Sequence, residues 1–404
     1  MLIKIAWRNI WRNKRRSIIV LSSVIVGIVA AICMDALQNG MLYQMLFNQI
    51  NLSTSHIQIH KNGFIDNKIV QNTIPDNNAA EQAAIENEHV SFYSKRVITF
   101  GLISSANNSS GIFLFGVDPE LEKNVSIIIS SVVKGKYFET GIREVLIGTT
   151  LSEKLQVDIG DKIVCMANMK DGSIGSDVFR VIGIFRSPDS EYNKAYIYVP
   201  ITDAQNMLEL GAEYHELAII TKDYHFAPQA ADEIESKLGE RFEVLSYDEV
   251  LPLLVMQLDM YKEMIYVINF IIGLALIFGI INAMLMAVYE RTQEIGVLMA
   301  IGMKNGKIVN MIVLEAFLIG LLGTIIGVVL GWVLYKGVLI NGIDLSSFAE
   351  SLDSFGIGAI LYPKLSMENL ISLLLTIPLI SIIGAFYPAY RAVKLQPVTA
   401  IRHV

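Results

Sequence analysis

Apolar and polar positions divide this chain into two regimes. Four stretches, Ser17–Asp35, Met264–Val288, Ile308–Tyr335 and Leu370–Tyr387, are apolar on every side of any helix they would form. About 20 such residues cross the roughly 30 Å of bilayer hydrocarbon, so each predicts a membrane-spanning helix. The four spans are placed at 17–39, 264–289, 308–336 and 367–388. A long hydrophilic insert, 40–263, separates the first two, and a shorter loop, 337–366, separates the last two.

Inside the insert the pattern changes to alternation. HIQIH (56–60), KRVITFGLIS (95–104), GIFLFGVD (111–118), EVLIGT (144–149), DKIVCMA (161–167), VFRVIGIF (178–185), AYIYVP (195–200), ELAIIT (216–221) and FEVLSY (242–247) read as strands. They are rich in β-branched and aromatic residues and separated by turn residues. NAAEQAAIEN, TLSEKLQ, TDAQNMLEL and APQAADEIESKL read as helices, and NKIVQNTIPDNNAAEQ, with Pro75, Asp76, Asn77 and Asn78, as a loop before the first of them. ELAIIT, a helix and FEVLSY in succession read as a β-α-β unit. The expected fold is membrane α-helical with four transmembrane helices, plus an α+β domain inserted between the first and second spans. In that domain a mostly β insert, about 96–199, interrupts two mixed halves, about 40–95 and 200–247.

The segments flanking the spans are amphipathic. In LIKIAWRNIWRNKRR (2–16) the bases Lys4, Arg8, Arg12 and Arg15 or Arg16 recur at helical spacing, while Ile3, Trp7, Ile10 and Trp11 fall elsewhere. This is the pattern of an interfacial helix with aromatic anchors. DEVLPLLVMQLDMYKE (248–263) keeps helical spacing at Val250, Leu254, Leu258 and Tyr261 but is too polar for lipid, so it extends the second span outward as a stalk. ALQNGMLYQMLFNQI does the same after the first span. Between the second and third spans, ERTQEIGVLMAIGMKNGK (290–307) reads as a small amphipathic helix rather than a plain turn.

Composition agrees with a membrane protein: 53% of the 404 residues are hydrophobic and only 18% charged. Charge then sets orientation. Six bases and no acid precede the first span, the 290–307 linker adds Arg291, Lys304 and Lys307, and the tail 389–404 carries Arg391, Lys394 and Arg402. These segments are assigned to the cytoplasm. Residues 40–263, with 18 basic and 31 acidic side chains, are assigned outside. The formal charge of −7 averages these two faces, and no basic patch with interleaved aromatics points to nucleic acid. The first apolar run exceeds a signal-peptide core and lacks a small-x-small cleavage site, so it reads as a retained anchor.

Candidate chemistry is sparse. Cys33 and Cys165 form no metal or redox motif, and neither a phosphate-binding G-x-x-x-x-G-K-[ST] nor H-E-x-x-H nor G-x-S-x-G occurs. His56 and His60 share one strand face and read as exposed polar packing, and the Asp and Glu of the insert read as solvated surface. No catalytic or metal site is expected. Within the third span Gly320, Gly323, Gly327 and Gly331 form a close-packing surface for another helix. Glu315, about two turns into that span, is expensive there and calls for a polar partner near the inner interface or a direct role with substrate. Pro378 predicts a kink in the fourth span.

INAMLMAVYERTQEIGVLMAIGMKNGKIVNMIVLEAFLIGLLGTIIGVVLG resembles the signature region of the FtsX-like permeases, which include MacB-type exporters and the lipoprotein-releasing Lol-type permeases. YPAYRAVKLQPVTAIR is similar to their C-terminal signature, LIGTTLSEKLQVDIGDKIV to a segment of their outer domain, and IAWRNIWRNKRRS to their start. The resemblance implies a permease of a mechanotransmitting (type VII) ABC transporter in a bacterial inner membrane, with both termini cytoplasmic and the insert periplasmic. A separate cytoplasmic ATPase dimer would bind Mg-ATP; this chain would hold no cofactor. A second permease subunit, identical or related, would complete the complex.

Carried onto this sequence, the ATPase-coupling element is Glu290, Arg291, Glu294, Ile295, Gly296, Leu298, Met299 and Gly302. Ile295, Leu298 and Met299 would form its buried face and Glu290, Arg291 and Glu294 its charged contacts. Among members, chain length and the absence of a fused ATPase favour the Lol type, so the implied cargo is a lipoprotein drawn from the membrane for transfer to the outer membrane. Met34, Leu37, Met41 and Met45, with Leu258, Tyr261 and Met264, are the implied lipid or substrate contacts, although stalk packing explains the methionines equally. The link NMKDGSIGSD (168–177) is short where the carrier-recruiting member has a long hairpin, which leaves a periplasmic lipoprotein carrier open as a partner. Export of peptides or small amphiphiles through a periplasmic adaptor, and signalling that activates a periplasmic hydrolase, are the alternatives.

Overall fold

A computed structural model describes residues 2–12, 14–75, 79–139, 142–348 and 360–394. The chain divides into a helical unit (Met1–Leu42, Leu258–Ile343, Leu361–Val404) and a sheet unit (Tyr43–Gln257, Asp344–Ile360). Expected features at Asp76–Asn78, in part of the 337–366 loop and in the tail beyond Lys394, Arg402 included, lie outside the described residues.

Among the described residues, four helices are long and apolar enough to cross a membrane: Ser17–Thr54, Pro252–Glu290, Asn305–Asn341 and Met367–Val393. The first and second continue well past their apolar cores, because Ala36–Gln49 and Pro252–Glu263 keep helical propensity after their composition turns polar. The second begins at Pro252, a residue suited to a first helical turn. The preceding Tyr247–Val250 is a separate turn, held by a capping box between Ser246 and Glu249.

Within the helical unit, small residues decide the packing. A Cβ on Gly323, Gly327 or Gly331 would stand 2.7, 3.0 and 2.7 Å from Val24, Ile28 and Ile32, so a ladder of glycines meets a ladder of branched side chains at the same four-residue interval. Gly320 turns to the fourth helix and touches Ser381. That helix runs unbroken through both Pro378 and Pro388. At its start the buried Asp35 of the first helix accepts from Asn39 Nδ2 (2.8 Å), Ser366 N (3.4 Å) and Asn369 Nδ2. A carboxylate there complements the partial positive charge of the helix N-terminus. The N-terminal helix Leu2–Arg12 splits its apolar residues: Ile10 packs with Val20 and Ile319, while Trp7 and Trp11 point outward edge to face, 6.0 Å apart.

Among the described residues ten strands form the main sheet of the sheet unit: β1 (Ile57–Lys61), β2 (Val90–Ser104), β3 (Ser109–Val117), β4 (Val132–Gly135), β5 (Glu144–Gly148), β6 (Lys162–Asn168), β7 (Ile174–Phe185), β8 (Tyr196–Pro200), β9 (Glu216–Thr221) and β10 (Phe242–Ser246). They join one sheet in the order β10-β1-β9-β2-β3-β8-β5-β7-β4, with β6 pairing β2 and β7. β1 runs between β9 and β10, antiparallel to both, so the predicted β-α-β unit is split by a strand from the other end of the domain.

A self-contained β insert does not form. β2 is long enough to pair β9 with its first half and β6 with its second while β3 follows its other edge, and one hydrogen-bonded sheet therefore runs through insert and flanking halves. The β6–β7 connection is a tight hairpin closed by Met169 N to Ser173 O at 2.8 Å, with Gly172 at a φ of +88°. Val132–Gly135 and the short helices Ile128–Ser131 and Ser190–Ala195, only 4, 4 and 6 residues long, are too short for either periodicity to stand out.

Candidate coupling site

The segment between the second and third long helices folds as a helix, Thr292–Ala300, with Arg291 at the N-cap position but its side chain turned elsewhere. The Arg291 guanidinium is forked. Nη1 donates to Glu315 Oε2 at 3.0 Å and Nε to Glu294 Oε2 at 3.2 Å. Glu294 also takes Arg12 Nη2 at 2.5 and 2.7 Å. Arg12, Glu294, Arg291 and Glu315 thus form a line of alternating charge from the N-terminal helix, through the connecting helix, into the third long helix. Glu315 is almost fully buried. A carboxylate among apolar helices is tolerable only with a cation beside it, and Arg291 supplies that cation. Partial burial would raise the Glu294 carboxyl, but the two arginines outweigh it and hold it below the ordinary glutamate value.

Ile295 drops into a cluster with Met284, Ile308 and Ile312. The helix ends at Gly302, whose φ of +90° is a left-handed position that side chains resist, with Gly302 N bonded to Met299 O and Met303 N to Leu298 O, each at 3.0 Å. Val297 and Ile301, 46% and 73% exposed, are left outward as large apolar side chains beside Gln293 and Glu290.

The family description of the MacB-like periplasmic core domain matches residues 17–237, more than half of the chain. The chain belongs to that family. The FtsX-like permease C-terminal domain matches residues 266–397, which contain the connecting helix and Glu315. A macrolide export ATP-binding/permease protein MacB of Mannheimia succiniciproducens is 26% identical over 96% of this chain, and one of Campylobacter jejuni 24% identical over 98%. The chain spans about 60% of the length of these curated relatives. Among solved structures, the periplasmic region of MacB from Actinobacillus actinomycetemcomitans aligns over 52% of this chain and 97% of its own, at a TM-score of 0.38 and 15% identity. The extracellular domain of the Gram-positive transporter YknZ aligns over 48% of this chain and all of its own, at 0.35 and 15%.

In this MacB-like, FtsX-like permease the residues expected to form the buried face of the connecting helix lie partly against the chain itself. Ile295 and Gly296 are buried against the chain's own helices, and Leu298 and Met299 are only half-buried, Met299 packing beside the same cluster. Of the residues assigned to charged contacts, Arg291 bonds Glu294 and Glu315, and Glu294 also takes Arg12, all within the chain. The outward surface instead centres on Val297 and Ile301, two residues not singled out from the sequence. Met34, Leu37, Met41 and Met45 share a helix face along which burial deepens from exposed Met34 to buried Met45. Leu258 is buried, whereas Tyr261 and Met264 are exposed. None of these seven joins a hydrophobic cluster among the described residues.

A second constellation, in the sheet unit, was missed altogether. The helix that starts in the first span ends in one π turn, Ile50–Thr54. Its last carbonyls, which no helix can satisfy internally, are captured one by one. Asn51 O accepts from Ile127 N (3.0 Å), Leu52 O from the hydroxyls of Tyr192 and Tyr198 (3.1 and 3.2 Å), Ser53 O from Arg96 Nη1 (2.5 Å) and Thr54 O from Gln58 Nε2 (2.9 Å). Arg96 is fully buried and paired with Glu122 (2.6 Å) and Glu216 (2.8 Å).

Glu122, Glu216 and Glu144 are buried, so they are not solvated surface. His56 and His60 are buried as well, not exposed. His60 Nδ1 lies 3.0 Å from His215 O, and burial pushes its pKa down to about 3, that of His56 and of His215 to about 4. The Glu216 carboxylate is 3.6 Å from His60 Nε2, but its charge is committed to Arg96, and burial prevails. The legible clue was a charged residue inside an otherwise apolar strand, KRVITF, opposite the glutamate that opens ELAIIT.

Proposed function

We propose that the chain is the permease subunit of a mechanotransmission ABC transporter that draws an acylated or amphiphilic cargo from the membrane. It would use ATP hydrolysed, with Mg²⁺, by a separate ATPase seated on the connecting helix. The observation that carries this reading is the Arg12–Glu294–Arg291–Glu315 line. It makes the connecting helix mechanically continuous with two others and leaves the apolar pair Val297 and Ile301 outward for a protein partner. The basic linker and N-terminus favour a cytoplasmic position for that surface, with the sheet unit periplasmic.

The leading cargo is a lipoprotein of the inner membrane. At roughly 0.8 kcal/mol per buried CH₂, withdrawing several acyl chains costs on the order of tens of kcal/mol, which demands ATP. Export of a peptide or small amphiphile through a periplasmic adaptor is the second reading. The relatives' printed name, macrolide export, favours it, and so does the tight β6–β7 hairpin, which offers no long arm to a lipoprotein carrier. In proteoliposomes with its ATPase, release of a triacylated protein should require ATP and the unacylated form should not respond. Equal handling of both forms would remove the lipoprotein reading, and ATP-dependent release of a macrolide alone would select the second.

A further inference from the structure

A cleft of about 1020 Å³ opens in the sheet unit beside β7. Lys136, Arg143, Lys162 and Arg180 line it, against only two carboxylates, Glu139 and Glu144. The surrounding region 40–263 is acidic, 31 to 18, so the cleft inverts the local sign. Its cations are not all spent. Lys136 pairs with Glu139, and Arg143, more loosely, with Asp177 at 3.6 Å. Arg180 donates to Gly160 O at 2.7 Å, and neither it nor Lys162 has a carboxylate partner among the described residues. Arg180 is flanked across the sheet by Lys162 on β6 and Glu144 on β5, so one carboxylate faces two cations and the row keeps a net positive charge.

The same sheet face continues as an apolar strip. Side chains alternate along a strand, and the register places Val178 beside Arg180, Val164 opposite Val178, Leu102 and Phe100 beyond on β2, and Phe113 opposite Phe100 on β3. All five are exposed, Phe100 to 65%, and the Phe100 and Phe113 rings lie 5.5 Å apart. From β7 to β3 the strip crosses three strand spacings, roughly 14 Å. Each of its strands is hydrogen-bonded on both sides, so no free edge awaits an extended peptide, whose own backbone would be left unsatisfied over the apolar strip. A second copy docked by two-fold symmetry would set cations against cations.

We propose that the cleft and strip bind an anionic amphiphile, its acidic head held by Lys162, Arg180 and Arg143 and its apolar part laid over Val178, Val164, Leu102, Phe100 and Phe113. The site goes beyond the transport reading, since binding needs no ATP. Its failure would leave the coupling reading standing, and failure of coupling would leave the site.

The test uses the full chain in nanodiscs of zwitterionic lipid with a diazirine-bearing dodecyl phosphate, the labelled peptides being mapped by mass spectrometry. Label is expected on β2, β3, β6 and β7, competed by plain dodecyl phosphate and not by equimolar inorganic phosphate. It should fall about tenfold, the equivalent of one lost charge-assisted contact, in Lys162→Glu/Arg180→Glu and again in Phe100→Ser/Phe113→Ser. Four outcomes overturn the proposal: label confined to the membrane helices, label indifferent to charge reversal, equal competition by inorganic phosphate, which would mean a bare anion site, or displacement by an acidic peptide but not by dodecyl phosphate, which would mean a protein partner.

Discussion

At the scale of single residues, burial turns a few side chains into the parts that matter. Glu315 and Arg291 are the clearest pair, 2% and 15% exposed at the side chain. Removing Glu315 leaves the mostly buried Arg291 guanidinium with only the exposed Glu294 beside it, which costs about 2 kcal/mol, whereas replacing both Arg291 and Glu315 by apolar residues of similar size is nearly neutral. Glu315→Ala should therefore lower the thermal unfolding midpoint in detergent more than the double variant Arg291→Met/Glu315→Leu. An additive double variant would show the pair to be unlinked.

The histidines give a second residue-scale expectation. His56, His60 and His215 have folded pKa values of about 4, 3 and 4 against an ordinary 6.5, so the unfolded chain takes up protons that the folded one refuses. Stability is full above about pH 6.5 and declines as the pH falls toward 4, by up to about 1.4 kcal/mol per pH unit for each histidine. Glu216 opposes this at the acid end: burial, partly offset by Arg96, raises its carboxyl above the usual value. Unfolding followed from pH 7.5 to 5 should show the decline, and His60→Asn should lessen its slope by about a third, His56 and His215 remaining. A flat wild-type profile would contradict the burial argument.

At the scale of elements, most of the fold was legible, and the reasons for the gaps are physical. The four spans and the strands from HIQIH to FEVLSY announce themselves because their periodicity persists for several residues. The union of all ten strands into one sheet could not be read, since that depends on β2 having two different partners along one edge. The connecting helix was legible as a helix but not by face. Its most conspicuous apolar residue, Ile295, is claimed by the chain's own helices, and only the structure shows that Val297 and Ile301 are what remains.

Two variants separate these roles. Val297→Asp/Ile301→Asp should abolish stimulation of the ATPase by the permease while leaving thermal stability within about 0.5 kcal/mol, as exposed substitutions do. Leu298→Pro removes an N–H inside Thr292–Ala300 and breaks the helix, at about 3 kcal/mol. It should uncouple ATP hydrolysis from release although the spans still assemble. Full coupling in either variant would mean that this helix is not the ATPase contact.

At the scale of the whole molecule, work done at the connecting helix would be useful only if it reached the sheet unit, and the long helices that run on from the spans are covalent routes to it. One is the first-span helix itself, a continuous rod of 36 residues from Lys14 to Gln49. A rod transmits displacement only as well as its end is fixed. Here the end is gripped at four successive carbonyls, by Ile127, by the Tyr192 and Tyr198 hydroxyls, by Arg96 and by Gln58. Of these, Arg96 is the keystone, because the same guanidinium holds Ser53 O, Glu122 and Glu216, joining helix end, loop and strand β9. Charged hydrogen bonds in a buried site are worth about 1.5–3 kcal/mol each, so the grip should survive forces that single neutral bonds would not.

If the joint carries the stroke, loosening it without unfolding the domain should leave the ATPase end untouched and silence the far end. Tyr198→Phe, which deletes one hydroxyl of the pair on Leu52 O, should be the mild case. Arg96→Met combined with Glu216→Gln and Glu122→Gln should be the severe one, because it removes the charges together and strands none. In both, permease-stimulated ATP hydrolysis should persist at the wild-type level while cargo release per ATP falls, slightly for the first and to background for the second. Spin labels placed on the exposed sheet positions Phe92 and Ile174 should then lose their ATP-dependent change in parallel with release. Release that continues at full yield in the triple variant, with hydrolysis intact, would show that the stroke travels by another path.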